Sequence, residues 1–185
     1  MLTPRMSLLI RTATTEDIPQ LHELIELSIR QLSTDVYSPA QIEGSIGFIF
    51  GPDTQLIADS TYFVATPADN PNLIVGSGGW SFRKTLFGSD RAPGRVPARR
   101  DPSNEAASIR AIFVRPGFTR KGLGTRIMEH CEQAAIQAGF SKLEMGSTLT
   151  GLSLYSHCGY TRTGEEAVPL PNGESLRVVH MSKQV

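Results

Sequence analysis

"VRPGFTRKGLGTRIM" (residues 114–128) runs from an apolar valine through a Pro-Gly turn to two adjacent cations, two closely spaced glycines and an apolar run. Leu123, Ile127, Cys131, Ala134 and Ala138 recur at helical spacing, and Gly139 stands where a helix places its C′ residue. The stretch reads as a strand end, a glycine turn and a helix running to about Ala138. A helix N-terminus offers unpaired N–H groups and about half a positive charge. Glycines there let the main chain approach a ligand closely, and Arg120 and Lys121 add local charge. The combination describes an anion site, most naturally for a phosphate or pyrophosphate. A plain strand-to-helix turn with two solvated cations has the same features, and spacing alone does not separate the two.

On the N-terminal side of the turn, "ASIRAIFV" (residues 107–114) is apolar enough for a central strand. On its C-terminal side "KLEMGS" (142–147) is a strand, so the segment 107–147 is a strand-helix-strand unit with one parallel pair. Earlier, residues 7–13 read as a strand. A helix follows, with Thr14 as N-cap, Asp17 as its first-turn acidic partner and an apolar stripe of Ile18, Leu21, Ile25, Ile29 and Leu32. "SPAQIEGSIGFIF" (38–50) is a shorter helix capped by Ser38 with Pro39 in its first position. "TYFVAT" (61–66) and "LIVGSGGWSF" (73–82) form a hairpin across "PADNPN". Residues 83–106, rich in Pro, Gly and Arg, are a long loop, a lid or a partly disordered segment. After the parallel unit, "GLSLYSHC" (151–158) is a short helix ended by Gly159. "YTRTGEE" and "ESLRVVHMSK" are closing strands joined through "VPLPNG". The expected fold class is α/β of the α+β type. A mixed, mostly antiparallel sheet contains one parallel strand-helix-strand unit and carries helices on both faces, in one domain spanning 1–185.

Composition limits the function. Eighteen basic residues balance eighteen acidic ones, so any anion binding is local and a nucleic-acid partner is not expected. Cys131 and Cys158 lack metal-ligand spacing, so no metal site is expected; both read as reduced thiols. The N-terminal apolar stretch is too short for a signal or a membrane span, which leads to the expectation of a cytoplasmic protein without a membrane partner. The residues before Met6 read as a loose start. The phosphate ligand is not that of a P-loop, since no Gly-Lys-Thr or Gly-Lys-Ser occurs. A dinucleotide-binding protein is a rival: Gly122 and Gly124 open a helix, and Glu144 lies about twenty residues on. Against it, Ile127 occupies the place of the third glycine, and the motif falls late in a chain whose earlier strands pair antiparallel.

"VRPGFTRKGLGT" resembles the acetyl-CoA signature of the GNAT superfamily of N-acetyltransferases, a V-x-P strand end followed by Q/R-x-x-G-x-G/A and a helix. "IRTATTEDIPQL" resembles that family's first strand and helix, "LYSHCGY" its late Y-x-x-x-G-F segment, and "VVHMSK" its final strand. The resemblance covers nearly the whole chain. It implies a GNAT fold, acetyl-CoA as the acyl donor with no metal, and a primary amine as acceptor, either a small molecule or a peptide. It is compatible with a homodimer. It implies that the main chain at Thr119, Arg120, Lys121, Gly122, Leu123, Gly124 and Thr125 anchors the diphosphate. It further implies that Ile112, Phe113 and Val114 pair their main chain with the pantetheine arm, in a gap where this strand and "KLEMGS" diverge. A main-chain N–H near Ile112 is a candidate oxyanion donor. Tyr155 matches the family tyrosine that protonates the departing thiolate.

The chain also departs from the family pattern. Thr119 stands where Gln or Arg is usual and Arg120 where Gly is frequent. Ser108 occupies the place of a frequent Glu, which leaves the general base open among Glu144, Glu105, His157, Ser108 and a water chain. Thr148 or a neighbour replaces an Asn before the late helix. Tyr37 and Trp80, with Phe82 and Arg83, are candidates for the acceptor mouth. A non-catalytic acyl-CoA-binding module on the same fold is the alternative from another functional class.

Overall fold

The computed structural model describes residues 7–185; the loose start expected before Met6 lies outside the described residues. The strands are β1 (Leu8–Thr12), β2 (Tyr62–Pro67), β3 (Gly76–Ser81), β4 (Ala107–Val114), β5 (Lys142–Ser147), β6 (Thr161–Pro169) and β7 (Ser175–Gln184). The helices are α1 (Ile18–Leu32), α2 (Pro39–Ser45), α3 (Thr54–Ala58), α4 (Leu123–Gln137) and α5 (Leu152–His157). One seven-stranded sheet runs in the order β1-β2-β3-β4-β5-β7-β6. Every neighbouring pair is antiparallel except β4 and β5. This is the mixed sheet with one parallel unit expected from the sequence.

The helix starts follow local chemistry. The Thr14 N–H donates to Asp17 Oδ2 at 2.8 Å, and a single 3-10 turn, Thr15–Asp17, leads into α1. Ser38 accepts from the Gln41 N–H at 3.1 Å and the Gln41 side chain answers at 2.9 Å, a complete capping box for α2. The third helix, α3, has no counterpart in the sequence reading. Its five residues are too few to show periodicity, and Asp53 caps it through a 3.0 Å bond from the Gln55 N–H.

Both faces of the sheet are covered. Phe63 and Ala65 of β2 pack with Leu123, Ile127, Met128, Cys131 and Ala135 of α4. Tyr62 and Val64 point the other way, toward Leu21 and Leu24 of α1. Burying Ile127 alone contributes about 1.5–3 kcal/mol. Gly76 and Gly78 allow this close approach, because a Cβ at either would overlap the Ile127 side chain. The α4 stripe differs from the expected one at its end: Ala138 is the exposed C-cap, and Met128 and Ala135 take the inner positions. Gly139 holds the left-handed C′ position at φ 95°.

A bulge in β4 sets up the functional region. Ala111 has φ 57°, and the β3–β4 register slips there. Ser77 Oγ donates to the Ala111 carbonyl at 3.0 Å and holds the bulge. The extra residue changes the alternation along β4. Ile109 and Ile112 both face the α4 side, whereas Phe113 faces α1. No glycine marks this position, so the sequence gives no sign of it.

Candidate functional site

Beyond Ser108, β4 leaves β5. The two strands pair only at Ala107–Leu143 and Ser108–Glu144. β5 continues along β7 instead, so one edge of β4 is open from Ile109 onward. A cavity of about 840 Å³ fills this gap. Its walls include β4 from Ile109 to its end, the turn before α4, the start of α5, and residues 86–88 of the long loop.

The glycine turn forms one wall. Arg120 and Gly122 both hold left-handed backbone, at φ 59° and 78°. Gly122 is the N-cap of α4 and provides no side-chain cap. The first helical bond is the Arg126 N–H to the Gly122 carbonyl at 3.1 Å. Among the described residues, no main-chain N–H of residues 119–125 donates to a protein acceptor. Seven consecutive open donors at the head of a fifteen-residue helix can hold an anion with several oxygens. Thr119, Arg120, Gly122, Gly124 and Thr125 line the cavity. Lys121 and Leu123 do not. The Lys121 Nζ donates to the Gly117 carbonyl at 2.8 Å and stands 5.5 Å over the Phe118 ring, while Leu123 is buried in the core.

Ile112, Phe113 and Val114 line the cavity, as do Thr148 and Tyr155. Thr148 holds the entry to α5 through its Oγ1, which accepts from the Gly151 N–H at 3.2 Å. Tyr155 is buried, and burial pushes its phenol well above the ordinary tyrosine range. It therefore remains a protonated donor throughout neutral and mildly alkaline pH.

The candidate bases are scattered. His157 lines the cavity. Glu144 pairs with Arg100 outside it. Glu105 accepts from the Asp101 N–H at 2.7 Å on the far loop. The Ser108 hydroxyl is buried without a partner among the described residues. Burial raises the thiol pKa of both Cys131 and Cys158, which suppresses thiolate nucleophiles. Among the described residues no group of three or more His, Cys, Asp or Glu could hold a metal ion, and no helix is long and apolar enough to cross a membrane.

The structure does not bring Tyr37 and Trp80, the expected mouth residues, to this cavity. The Tyr37 hydroxyl donates to the Arg177 carbonyl at 2.9 Å and accepts from the Leu149 N–H at 2.9 Å, tying β7 to the turn before α5. Trp80 packs edge-on against Phe82 and Phe140 in the core. Arg83 is held by Asp59 through two bonds of 2.6 and 2.7 Å. The wall includes residues that the sequence reading does not assign to the site: Ile29, Ile49, Phe50, Asp53, Leu86, Phe87, Gly88, Arg110 and Val178. One signal for Arg110 was available, a lone charge in the otherwise apolar strand "ASIRAIFV".

The comparisons with known proteins agree with this architecture. A GCN5-related N-acetyltransferase from Rhodopseudomonas palustris superposes with a TM-score of 0.68 at 19% identity, covering 100% of this chain and 99% of that one. The PaiA N-acetyltransferase of Thermoplasma acidophilum, solved in complex with coenzyme A, gives 0.61 at 16% identity over 97% and 100% of the two chains. A ribosomal-protein-alanine N-acetyltransferase from Brucella melitensis gives 0.61 at 15% identity over 96% and 99%. At these identities the likeness shows the fold. No curated protein matches the chain in sequence. The model of the acetyltransferase (GNAT) family matches residues 27–160, a span that holds β4, the bulge, the glycine turn and Tyr155. The chain belongs to the acetyltransferase (GNAT) family.

Proposed function

We propose that the protein transfers the acetyl group of acetyl-CoA to a primary amine by direct attack, without an acetyl-enzyme intermediate. The observation that carries this reading is that one cavity joins three parts: a run of open main-chain donors, five of whose residues line it, an unpaired strand edge and a buried, protonated tyrosine. The donors of residues 119–125 take the diphosphate, with Arg120 adding charge. The open edge of β4 at Ile112, Phe113 and Val114 gives the pantetheine arm main-chain partners. An N–H beside the Ala111 bulge supports the developing oxyanion. Thr148 lines the path toward α5.

The chemistry then balances on few groups. The amine reaches the site neutral after losing one proton to solvent. Its lone pair forms the C–N bond and the C–S bond breaks. The Tyr155 hydroxyl gives its proton to the departing sulfur. The tyrosinate recovers a proton from the one shed by the new amide nitrogen.

Release of free thiol from acetyl-CoA, followed over a broad panel of amines, tests the reading. Turnover that falls in Tyr155→Phe while coenzyme A binding persists supports it. Binding without turnover for any amine, unaffected by that substitution, assigns the chain to the non-catalytic module instead.

A further inference from the structure

The acetyl-transfer site also contains a buried guanidinium that the proposed chemistry leaves unused. Arg110 lies in β4, just before the bulge, and its side chain is 3% exposed. It forms part of the cavity wall. Its Nη2 lies 2.7 Å from Asp53 Oδ2 and donates to the Gly88 carbonyl at 2.6 Å. The Nε–H has no partner among the described residues. An arginine carries five N–H donors, and the Asp53 and Gly88 contacts of Arg110 both fall on Nη2.

Asp53 does not neutralise this arginine by itself, because it is shared. Arg95 reaches the same carboxylate, with Nη2 at 3.0 Å from Oδ1 and Nη1 at 3.3 Å from Oδ2. Asp53 Oδ1 also caps α3. The carboxylate is 2% exposed and serves two guanidiniums. A second acid, Asp90, lies 3.9 Å from Arg95 and is 40% exposed. Two guanidiniums thus share one buried carboxylate, and the second acid reaches only Arg95, so Arg110 has half of one carboxylate as its counter-charge. Burial and Arg95 both act against the Arg110 charge, and Asp53 only partly offsets them. A buried cation without a full partner is costly, and a carboxylate is the group that best completes an arginine.

Ile29, Ile49, Phe50, Phe87 and Val178 give the same cavity an apolar part, beside polar lining that includes Asp35. We infer that the acceptor amine carries a carboxylate that Arg110 recognises, joined to an apolar body that these walls enclose. The substrate class is an apolar amino acid or a related amino-carboxylic acid. An amine without a carboxylate leaves Arg110 sharing Asp53 with Arg95. The inference rests on the acetyl-transfer reading of the cavity and specifies its acceptor.

The test uses matched acceptors with the wild-type protein: L-phenylalanine, L-phenylalaninamide and phenethylamine, and L-leucine with isopentylamine. Thiol release gives kcat/KM for each. The acid is expected to exceed its carboxylate-free partner by about tenfold or more, the scale of one charge-assisted hydrogen bond. Arg110→Gln removes the recognising guanidinium while Arg95 keeps Asp53 paired, and Arg110→Lys retains a cation as a folding control. In Arg110→Gln the acid-to-amine ratio is expected to fall toward one, with acetyl-CoA affinity retained. A second readout needs neither turnover nor the cosubstrate: N-acetyl-L-phenylalanine raises the melting temperature of the protein and N-acetylphenethylamine does not. Preference for carboxylate-free amines overturns the inference. So does a preference that survives in Arg110→Gln, or the failure of every acid to react or stabilise while coenzyme A binds. Loss of coenzyme A binding itself overturns the acetyl-transfer reading, and the thermal shift with the acetylated acid still reports on Arg110.

Discussion

The Tyr155 ring packs directly on Gly151: a Cβ added to Gly151 would overlap Cε2 and stand 3.0 Å from Cζ. The two residues are one helical turn apart, with the Tyr155 N–H bonded to the Gly151 carbonyl at 3.1 Å. The absence of a side chain at Gly151 fixes where the phenol sits. Gly151→Ala is expected to displace the ring, cost about 1–3 kcal/mol through overpacking, and lower kcat more than it changes acetyl-CoA affinity. Tyr155→Phe is expected to lower kcat by about 10²-fold or more, the usual range for a lost general acid. Steady-state kinetics beside thermal melts check both; an unchanged kcat in Tyr155→Phe contradicts the assigned role.

Arg120 holds a left-handed φ of 59°, a conformation that costs a non-glycine residue about 1–2 kcal/mol. Arg120→Gly is therefore expected to stabilise the fold by up to that amount. It removes an exposed charge beside the open donors, so coenzyme A affinity falls modestly and depends less on salt. Melting temperatures and calorimetric titrations at two ionic strengths measure the two effects. A destabilised variant contradicts the strain argument.

Burial pushes the phenols of Tyr62, Tyr155 and Tyr160 above their ordinary range. In the unfolded chain tyrosine loses its proton near pH 10, at about its ordinary pKa. The folded state keeps these protons longer, so their contribution is full below pH ~10 and is lost as pH rises beyond it. Denaturant unfolding across the alkaline range is expected to show stability falling above pH ~10, with a shallower fall in Tyr155→Phe. A flat profile there contradicts the assigned burial. At the acid end the sign reverses. Arg11 holds Asp17 below the carboxylate range and Arg83 does the same for Asp59, so stability is lost as pH falls through their lowered values.

The two bonds from Arg83 to Asp59 fasten the start of the long loop to the end of α3, and that loop supplies Phe87 and Gly88 to the cavity wall. Asp59→Ala is expected to speed limited proteolysis within residues 84–106 and to raise the acceptor KM with little change in acetyl-CoA affinity. Equal cleavage rates in the two proteins contradict this role for the pair.

Several elements governed by one local rule are legible in the sequence. Ser38 with Pro39 announces α2, and the apolar runs of "TYFVAT" and "ASIRAIFV" announce strands that the structure contains. The site is legible only in part, for a physical reason. The open donors of residues 119–125 are a local property of a glycine turn, so they can be read directly. The Ala111 bulge is imposed by its partner strand, and alanine carries no mark of left-handed backbone. Asp53, Arg95 and Arg110 meet from three separate segments, a juxtaposition that no spacing rule encodes. Tyr37 and Trp80, candidates for the acceptor mouth, lie outside the cavity lining, and their large apolar surfaces are buried at 4% and 6% exposure.

The central claim is that the main-chain hydrogens ahead of α4 hold the diphosphate of coenzyme A. Amide NMR during titration with coenzyme A, and separately with pantetheine, which lacks the diphosphate, tests it directly. The account predicts that coenzyme A moves the amide protons of residues 119–125 strongly downfield and that pantetheine leaves them nearly unmoved while shifting β4. Saturation by coenzyme A with those seven amides unchanged, or with the same shifts produced by pantetheine, contradicts it.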